Sequence, residues 1–398
     1  MFAALFDGYE DASLIELAPR ELASDWLAGV ESTPALVFDP AICQHQWAVL
    51  SDALPGVTLY YAVKSNPYHD LLQTMADLHA HFDVASAAEI RMLEQVGVSS
   101  SRMIHTHPIK TDTEIERAVA SGVTTFVVDN VDELWKLIPY RHQIRVMLRL
   151  AFIAPDAPID LSKKFGAPPQ DALSILDVAN DSGVRVDGLC FHVGSQAGSA
   201  STHATALEWC LDLCEQIKAE GLPEITRIDL GGGFPAHYLN EPVDLMAFCA
   251  PIRSVLARVP ESIEVMAEPG RVISAPSMAL VCRVIGRAKR GDAWWFYLDD
   301  GVYGAQSGRL FDGMQYRMTV YTSATDRASC VFAGPTCDSV DELGRFPEFP
   351  VLNMNDIVVL HEMGAYTLAS ATHFNGIAPP QVVTRALPDL TRDVGTHA

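Results

Sequence analysis

The chain reads as a parallel (β/α)8 barrel of the TIM type followed by a β-domain, an α/β protein, and three observations carry that prediction. From about residue 58 to 270, short apolar runs alternate with longer segments of helical periodicity, and eight such units follow one another. Reactive side chains fall at the ends of several runs, where a barrel displays its chemistry. Beyond Arg271 the texture changes to short β-rich runs broken by Gly, Asp and Pro.

In order, the expected barrel strands are Leu59 to Lys64, Phe82 to Ser86, Met103 to His107, Thr124 to Asp129, Arg145 to Leu150, Gly188 to Val193, Arg227 to Leu230 and Glu264 to Ala267. Between them Asp70 to Leu78, Ala87 to Val96 and Thr113 to Ala120 carry helical spacing. A doubly wound sheet competes with the barrel, but the count of eight favours closure. Segment 151 to 170 holds Pro155, Pro158, Pro168 and Pro169 and reads as a long loop after the fifth strand, at the face where loops carry function. The β-rich runs are Ser277 to Ile285, Trp294 to Leu298, Ser329 to Ala333 and Asp356 to Leu360, in a sandwich or barrel. The first 35 residues lack the barrel rhythm.

Composition limits the function. At 398 residues the chain is too long for one ordinary core, and 49% hydrophobic with 20% charged residues suits a globular protein. The net charge of −22 disfavours nucleic acid and anionic membranes and favours a cationic substrate, although solubility alone explains acidity as readily. No run of about 18 apolar residues predicts a membrane span. Met1 to Glu10 carries acids and no basic start, so a signal peptide is not expected. The eight cysteines show no C-x-x-C pair and mostly sit in apolar runs, which predicts reduced thiols in a cytoplasmic protein. Cys210 and Cys214 lie four apart on an expected helix with no nearby histidine, so they read as packing and no metal site is expected.

Lys64, in Tyr61-Ala62-Val63-Lys64-Ser65-Asn66-Pro67, ends an apolar run and is followed by a turn. A buried amine there can lose its proton and condense with an aldehyde; alternatively it is only a snorkelling lysine. The glycine run 231 to 233 after a strand lets backbone N–H groups approach a phosphate, yet a triple glycine is more often just a turn. Glu268 is equally a helix N-terminal carboxylate or a partner of Arg271. Glu89 reads as a first-turn carboxylate and His192 as a buried structural histidine. Cys337 stands between polar turn residues, which argues against a deeply apolar thiol.

Taken together, Lys64, Phe82-Asp83-Val84-Ala85-Ser86, His192-Val193-Gly194-Ser195, Gly231-Gly232-Gly233-Phe234-Pro235, Glu268-Pro269-Gly270-Arg271, Cys337-Asp338 and Gly364-Ala365-Tyr366-Thr367 span nearly the whole chain. In that order they resemble the alanine racemase-like (fold type III) enzymes that use pyridoxal 5'-phosphate (PLP), and within them the ornithine/lysine decarboxylases. The resemblance implies that Lys64 binds the cofactor covalently and that Glu268 keeps its pyridine nitrogen protonated, where alanine racemases use an arginine. It implies a phosphate cup from Ser195, Gly232, Gly233, Gly270, Arg271 and Tyr366, with His192 stacked on the ring. Asp83, Glu89 and Arg149 would form a polar network at the barrel mouth. Cys337 would supply a proton to the substrate carbon in a neighbouring subunit's site, Asp338 and Asp312 would face the substrate's distal ammonium, and Phe311 stands where eukaryotic ornithine decarboxylases have tyrosine. Lys164 and Asp341 match an intersubunit salt bridge, and Phe374 an aromatic of the dimer interface. The resemblance also packs residues 1–35 with 271–398 in the β-domain, leaving 36–270 as the barrel.

The expected protein is therefore a cytoplasmic homodimer with shared active sites that decarboxylates ornithine or lysine to a diamine and CO2. One methylene of side-chain length is worth only about 1–3 kcal/mol, so the sequence leaves that choice open. Three alternatives stand beside it. Diaminopimelate decarboxylase typically carries Cys-Glu-Ser where this chain has Cys337-Asp338-Ser339, although His192 to Gln196 is similar to that branch. A decarboxylase of a conjugated diamino acid in siderophore assembly would suit Phe311 and the divergent loop 151–162. An inactive regulator like the antizyme inhibitors is opposed by the retained Lys64 and Cys337.

Overall fold

The computed structural model describes residues 11–152, 163–238 and 243–388. Two compact units divide the chain: Gln44–Pro235 with Val243–Ile273, and a second unit of Met1–Cys43, Ala236–Pro242 and Ser274–Ala398.

Two short strands come first, β1 (Ile15–Ala18) and β2 (Ala35–Phe38). The first unit then contributes β3 (Val57–Ala62), β4 (His81–Val84), β5 (Met103–His105), β6 (Thr125–Val128), β7 (Arg145–Arg149), β8 (Val186–Cys190), β9 (Arg227–Asp229) and β10 (Glu264–Ala267). These eight pair in parallel in chain order, and Val265 opposite Val57 brings β10 onto β3, so the sheet closes into a barrel instead of an open doubly wound sheet. Parallel strands are covered on both faces, which is why they read as continuous apolar runs. Inside, Tyr60, Ile104, Val127, Met147, Cys190 and Met266 pack together from six different strands. Full burial of side chains of this size contributes about 1.5–3 kcal/mol each, enough to pin the register.

Three helices on the outer ring begin with the same device. Ser86, Thr111 and Asn130 accept the N–H of the glutamate three residues on, Glu89 at 3.3 Å, Glu114 at 3.2 Å and Glu133 at 3.0 Å. Two of those carboxylates then cross to the preceding βα unit: Glu114 accepts from Ala87 N at 2.6 Å and Glu133 from Lys110 N at 3.1 Å. Adjacent loops at the C-terminal mouth are thereby tied together.

Several strands stop earlier than the sequence predicts. β3 ends at Ala62, and Lys64 lies in a 3-10 turn, Val63–Ser65. Val63 and Ser65 are buried, so this turn has the apolar texture of a strand while Ala62 N has already left the ladder for Pro269 O at 3.0 Å. Glu268 likewise follows β10, and His192 stands two residues past β8. Of the long loop after β7, residues 153–162, with Pro155 and Pro158, lie outside the described residues; the return is fixed by Ala167 bridging Leu150.

The second unit is one nine-stranded mixed sheet formed by β1, β2, β11 (Met278–Arg290), β12 (Ala293–Leu298), β13 (Met318–Tyr321), β14 (Arg327–Ala333), β15 (Glu342–Pro350), β16 (Ile357–Leu360) and β17 (Gln381–Thr384). β2 pairs with β11 through Leu36 opposite Leu280, so the N-terminal part of this unit extends to Cys43 and not only to residue 35. Its core packs Trp26, Val37, Val281, Tyr321 and Val359, and the indole N–H of Trp26 donates to Tyr321 Oη at 2.8 Å.

Candidate active site

Asp83, on β4 beside Ala62 of β3, is almost fully buried, and a carboxylate taken out of water needs a cation or donors. Both are present: Lys64 Nζ lies 2.5 Å from Asp83 Oδ2, and the Thr106 hydroxyl donates to Oδ1. The Lys64 side chain is 38% exposed, so its amine is held by charge pairing at the mouth instead of resting in an apolar pocket as the sequence suggests. Glu89 lies beside this pair; burial raises its carboxyl to about 7, although Ala85 N donates to it at 2.6 Å.

Glu268 enters from the end of β10, its N–H donating to Gly231 O at 2.8 Å. Burial pushes its carboxyl well above the usual range, the Asp83 and Asp229 charges add to this, and Lys64 opposes it. Arg271, at the start of the short helix Arg271–Ser274, is buried and donates from Nε to Ser195 Oγ at 3.1 Å. Gly270 lets this segment pass the end of β3 and the turn after it, since a Cβ there would stand 2.8 Å from Ser65 Cβ and 3.2 Å from Ala62 Cβ.

The glycine run passes between two other loops. A Cβ on Gly232 would stand 2.9 Å from Glu268 O and 3.1 Å from His192 Nε2, and Gly233 has φ +98° with Gly194 O where its Cβ would be. His192 accepts the Gly194 N–H on Nδ1 at 3.0 Å, and burial, with Arg149 and Lys64 nearby, keeps the ring neutral. Arg149 closes β7 and stacks its guanidinium 5.4 Å from the Phe165 ring centroid. Thus Lys64, Asp83, Glu89, Arg149, His192, Ser195, Gly232, Gly233, Glu268, Gly270 and Arg271 all follow or close barrel strands at one mouth.

Sequence reasoning missed two residues here. Asp229, fully buried at the end of β9, accepts from Gly231 N at 2.8 Å. His203, on the helix Ser201–Ala219, is fully buried, with Nε2 2.9 Å from Gly232 O, and stacks on Phe234. A carboxylate inside an apolar strand just before the glycines was a readable signal for Asp229. His203 left none, because its partners are some 30 residues away.

In the second unit the loop 334–341 carries Cys337 and Asp338. Cys337 is exposed, and its N–H donates to Asn375 Oδ1 at 3.0 Å. Asp338 accepts from Tyr303 Oη at 2.5 Å and Val340 N at 3.1 Å, and Tyr303 stacks on Phe374 at 4.3 Å. The Tyr303 hydrogen bond lowers the Asp338 carboxyl below its usual range. Asp312 follows the short helix Gly308–Phe311, whose Phe311 is 77% exposed, and Tyr366 takes a left-handed φ of +55°. Asp341, the expected intersubunit partner of Lys164, is buried and within its own chain accepts from Val302 N at 2.9 Å, Thr336 N at 3.1 Å and Thr336 Oγ1 at 2.7 Å, so its carboxylate holds its own loop.

The donor set at the barrel mouth suits PLP. An amine at Lys64 can meet an aldehyde, a buried carboxyl at Glu268 can meet a ring nitrogen, and Arg271 with backbone free of Cβ can meet a phosphate. Neutral His192 offers a flat face. Among the described residues no cluster has the make-up of a metal site, and no helix is long and apolar enough to cross a membrane.

Comparison with known proteins agrees with this chemistry. Residues 41–275 match the family model "Pyridoxal-dependent decarboxylase, pyridoxal binding domain". The chain is 36% identical over 369 residues to the lysine/ornithine decarboxylase of Selenomonas ruminantium, covering 91% of this chain and 93% of that one. Its fold is similar to the lysine/ornithine decarboxylase of Vibrio vulnificus crystallised with cadaverine, at TM-score 0.86 and 39% identity over 92% of this chain and 98% of that one. The arginine decarboxylase of Paramecium bursaria Chlorella virus superposes at TM-score 0.86 with 28% identity, over 92% of this chain and 100% of that one. With the pyridoxal-binding model covering more than half its length and whole-length similarity to decarboxylases, the chain belongs to the pyridoxal-dependent decarboxylases.

Proposed function

We propose that this decarboxylase acts on a basic L-amino acid, ornithine or lysine, releasing CO2 and the corresponding diamine, and that it works as a homodimer. The observation that carries the reading is the pairing of a charged Lys64–Asp83 couple with the buried carboxyl of Glu268 at one barrel mouth. PLP, when bound, supplies the conjugated ring that takes up the electron pair left as CO2 departs. Lys64 provides the amine for its aldehyde, and Asp83 orients that amine. Glu268 holds the ring-nitrogen proton through a charge-assisted hydrogen bond. Arg271, Ser195 and the glycines 232, 233 and 270 would hold the phosphate, and neutral His192 would face the ring without adding charge. Arg149 and Glu89 complete the polar lining.

Cys337 of a second copy delivers a proton to the carbon that has lost CO2, a task suited to a weakly acidic thiol. Asp338, held ionised and oriented by Tyr303, binds the distal ammonium, and Asp312 is the second carboxylate assigned to it. The net charge of −22 favours approach of a cation. Diamines in two of the related crystal structures, cadaverine and putrescine, fit a product of this kind. All eight cysteines are thiols and not disulfides, which suits a reducing compartment such as the cytoplasm.

The test is a substrate panel. Purified protein with PLP should release CO2 from ornithine and lysine faster than from arginine, meso-diaminopimelate or a citryl-diamine conjugate. A preference for diaminopimelate or for the conjugate would overturn the substrate assignment.

A further inference from the structure

Asp229 and Glu268 are neighbours by construction of the barrel. On β9 and β10, Asp229 stands opposite Met266, and on the other side opposite Cys190; both of those side chains belong to the interior cluster. Residues two apart on a strand share a face, so Glu268 continues the line of Met266 toward the mouth, diagonal to Asp229. Asp229 is 0% exposed and Glu268 9%. One Asp229 oxygen takes the Gly231 N–H at 2.8 Å. The other, Oδ2, has no hydrogen-bond donor among the described residues, and the Glu268 carboxyl acts on it from the adjacent strand. Ionised carboxylates only accept, so a proton held between the two carboxyls is what would satisfy that oxygen.

The surroundings point the same way. Lys64 is the cation that acts on both groups, and its ammonium is already paired with Asp83, a third carboxylate that also acts on both. From the neighbouring strands, the Cys190 thiol and the Tyr60 phenol sense the Asp229 charge, and burial keeps both protonated, with Tyr60 raised to about 12. Two adjacent buried carboxylates cannot both ionise cheaply in this setting.

We propose that Asp229 and Glu268 hold one proton between them, and that Asp229 is the positioning residue that presents Glu268 to the cofactor's ring nitrogen as a dyad of single negative charge. The second half rests on the assignment of Glu268 given under Proposed function. The first half does not, because the proton is a property of the protein alone. In the apoenzyme at neutral pH, infrared difference spectra between H2O and D2O should show a protonated-carboxyl stretch that disappears in both Asp229→Asn and Glu268→Gln. Glu89 and Asp300, two buried carboxyls raised to about 7 elsewhere in the chain, serve as controls, so Glu89→Gln and Asp300→Asn should keep that band.

A band absent from wild type, or one that survives Asp229→Asn unchanged, would overturn the shared proton. In the holoenzyme an amide at 229 still donates to Glu268, whereas an apolar side chain does not. Asp229→Asn should therefore lose about tenfold in kcat and Asp229→Leu about a hundredfold. Equal losses in the two would reduce Asp229 to a packing role. If Asp229→Leu does not fold, the band and the kcat pH profile of Asp229→Asn decide. A shared proton with a kcat profile unmoved by Asp229→Asn would mean that the dyad does not face the ring nitrogen.

Discussion

Asp341→Asn separates two readings of the loop that carries Cys337 and Asp338. In the structure the Asp341 carboxylate receives three hydrogen bonds, from Val302 N, Thr336 N and Thr336 Oγ1, inside a single chain. Asparagine keeps the shape but offers one oxygen. The oxygen can keep Val302, and the Thr336 hydroxyl can turn to accept, but the Thr336 N–H is left facing an N–H donor with its partner lost. A half-buried donor stranded in this way, together with weaker charge assistance to the remaining bonds, costs about 1–3 kcal/mol. Lys164 is exposed, so Lys164→Ala should change stability by less than about 0.5 kcal/mol. Guanidinium unfolding of the purified protein at several concentrations measures both. The asparagine variant should show the lower midpoint at every concentration, with a fall in kcat/KM as the loop loosens. Equal losses for the two single variants, with the double variant no worse than either, would refute the internal role and restore a Lys164–Asp341 pair between subunits.

Three further outcomes follow from the site. Lys64→Ala should abolish covalent capture of PLP: borohydride reduction of wild type should fix the label on Lys64, and a label on another lysine would displace it from its role. Glu89 gives a pH signature in the apoenzyme. Its carboxyl is raised from 4.5 to about 7, so between those values the folded state binds more protons than the unfolded one, and this contribution to stability is present below about 4.5 and is lost as pH rises through about 7. Glu89→Gln should therefore gain stability relative to wild type as pH rises across that window in urea titrations, and a constant difference would contradict the raised value. Mixing Lys64→Ala with Cys337→Ala subunits should restore up to about half of wild-type activity by two-fold symmetry, since one mixed site then holds both groups. No recovery, with subunit exchange demonstrated, would rule out shared sites.

The eight barrel strands were legible in the sequence because strands buried on both faces leave mostly apolar runs, as in Phe126-Val127-Val128 and Met147-Leu148, although β4, β8 and β9 also carry Asp83, Asp187 and Asp229. Lys64, His192, the glycine run, Glu268 and Arg271 could be placed at strand ends and turns because these mark themselves locally, but the roles expected of them came from the family resemblance. Strand limits were less so, since a buried turn such as Val63–Ser65 has a strand's composition. What only the tertiary structure decided is which groups share one environment. Thr106 meets Asp83 across 23 residues, His203 meets Gly232 across 29, and Asp341 meets Val302 across 39. Asp229 and Glu268 lie equally far apart in the chain and meet only because the barrel closes β9 against β10. Burial, and with it the protonation of these carboxyls, belongs to the closed barrel, because desolvation depends on neighbours that the linear order does not specify.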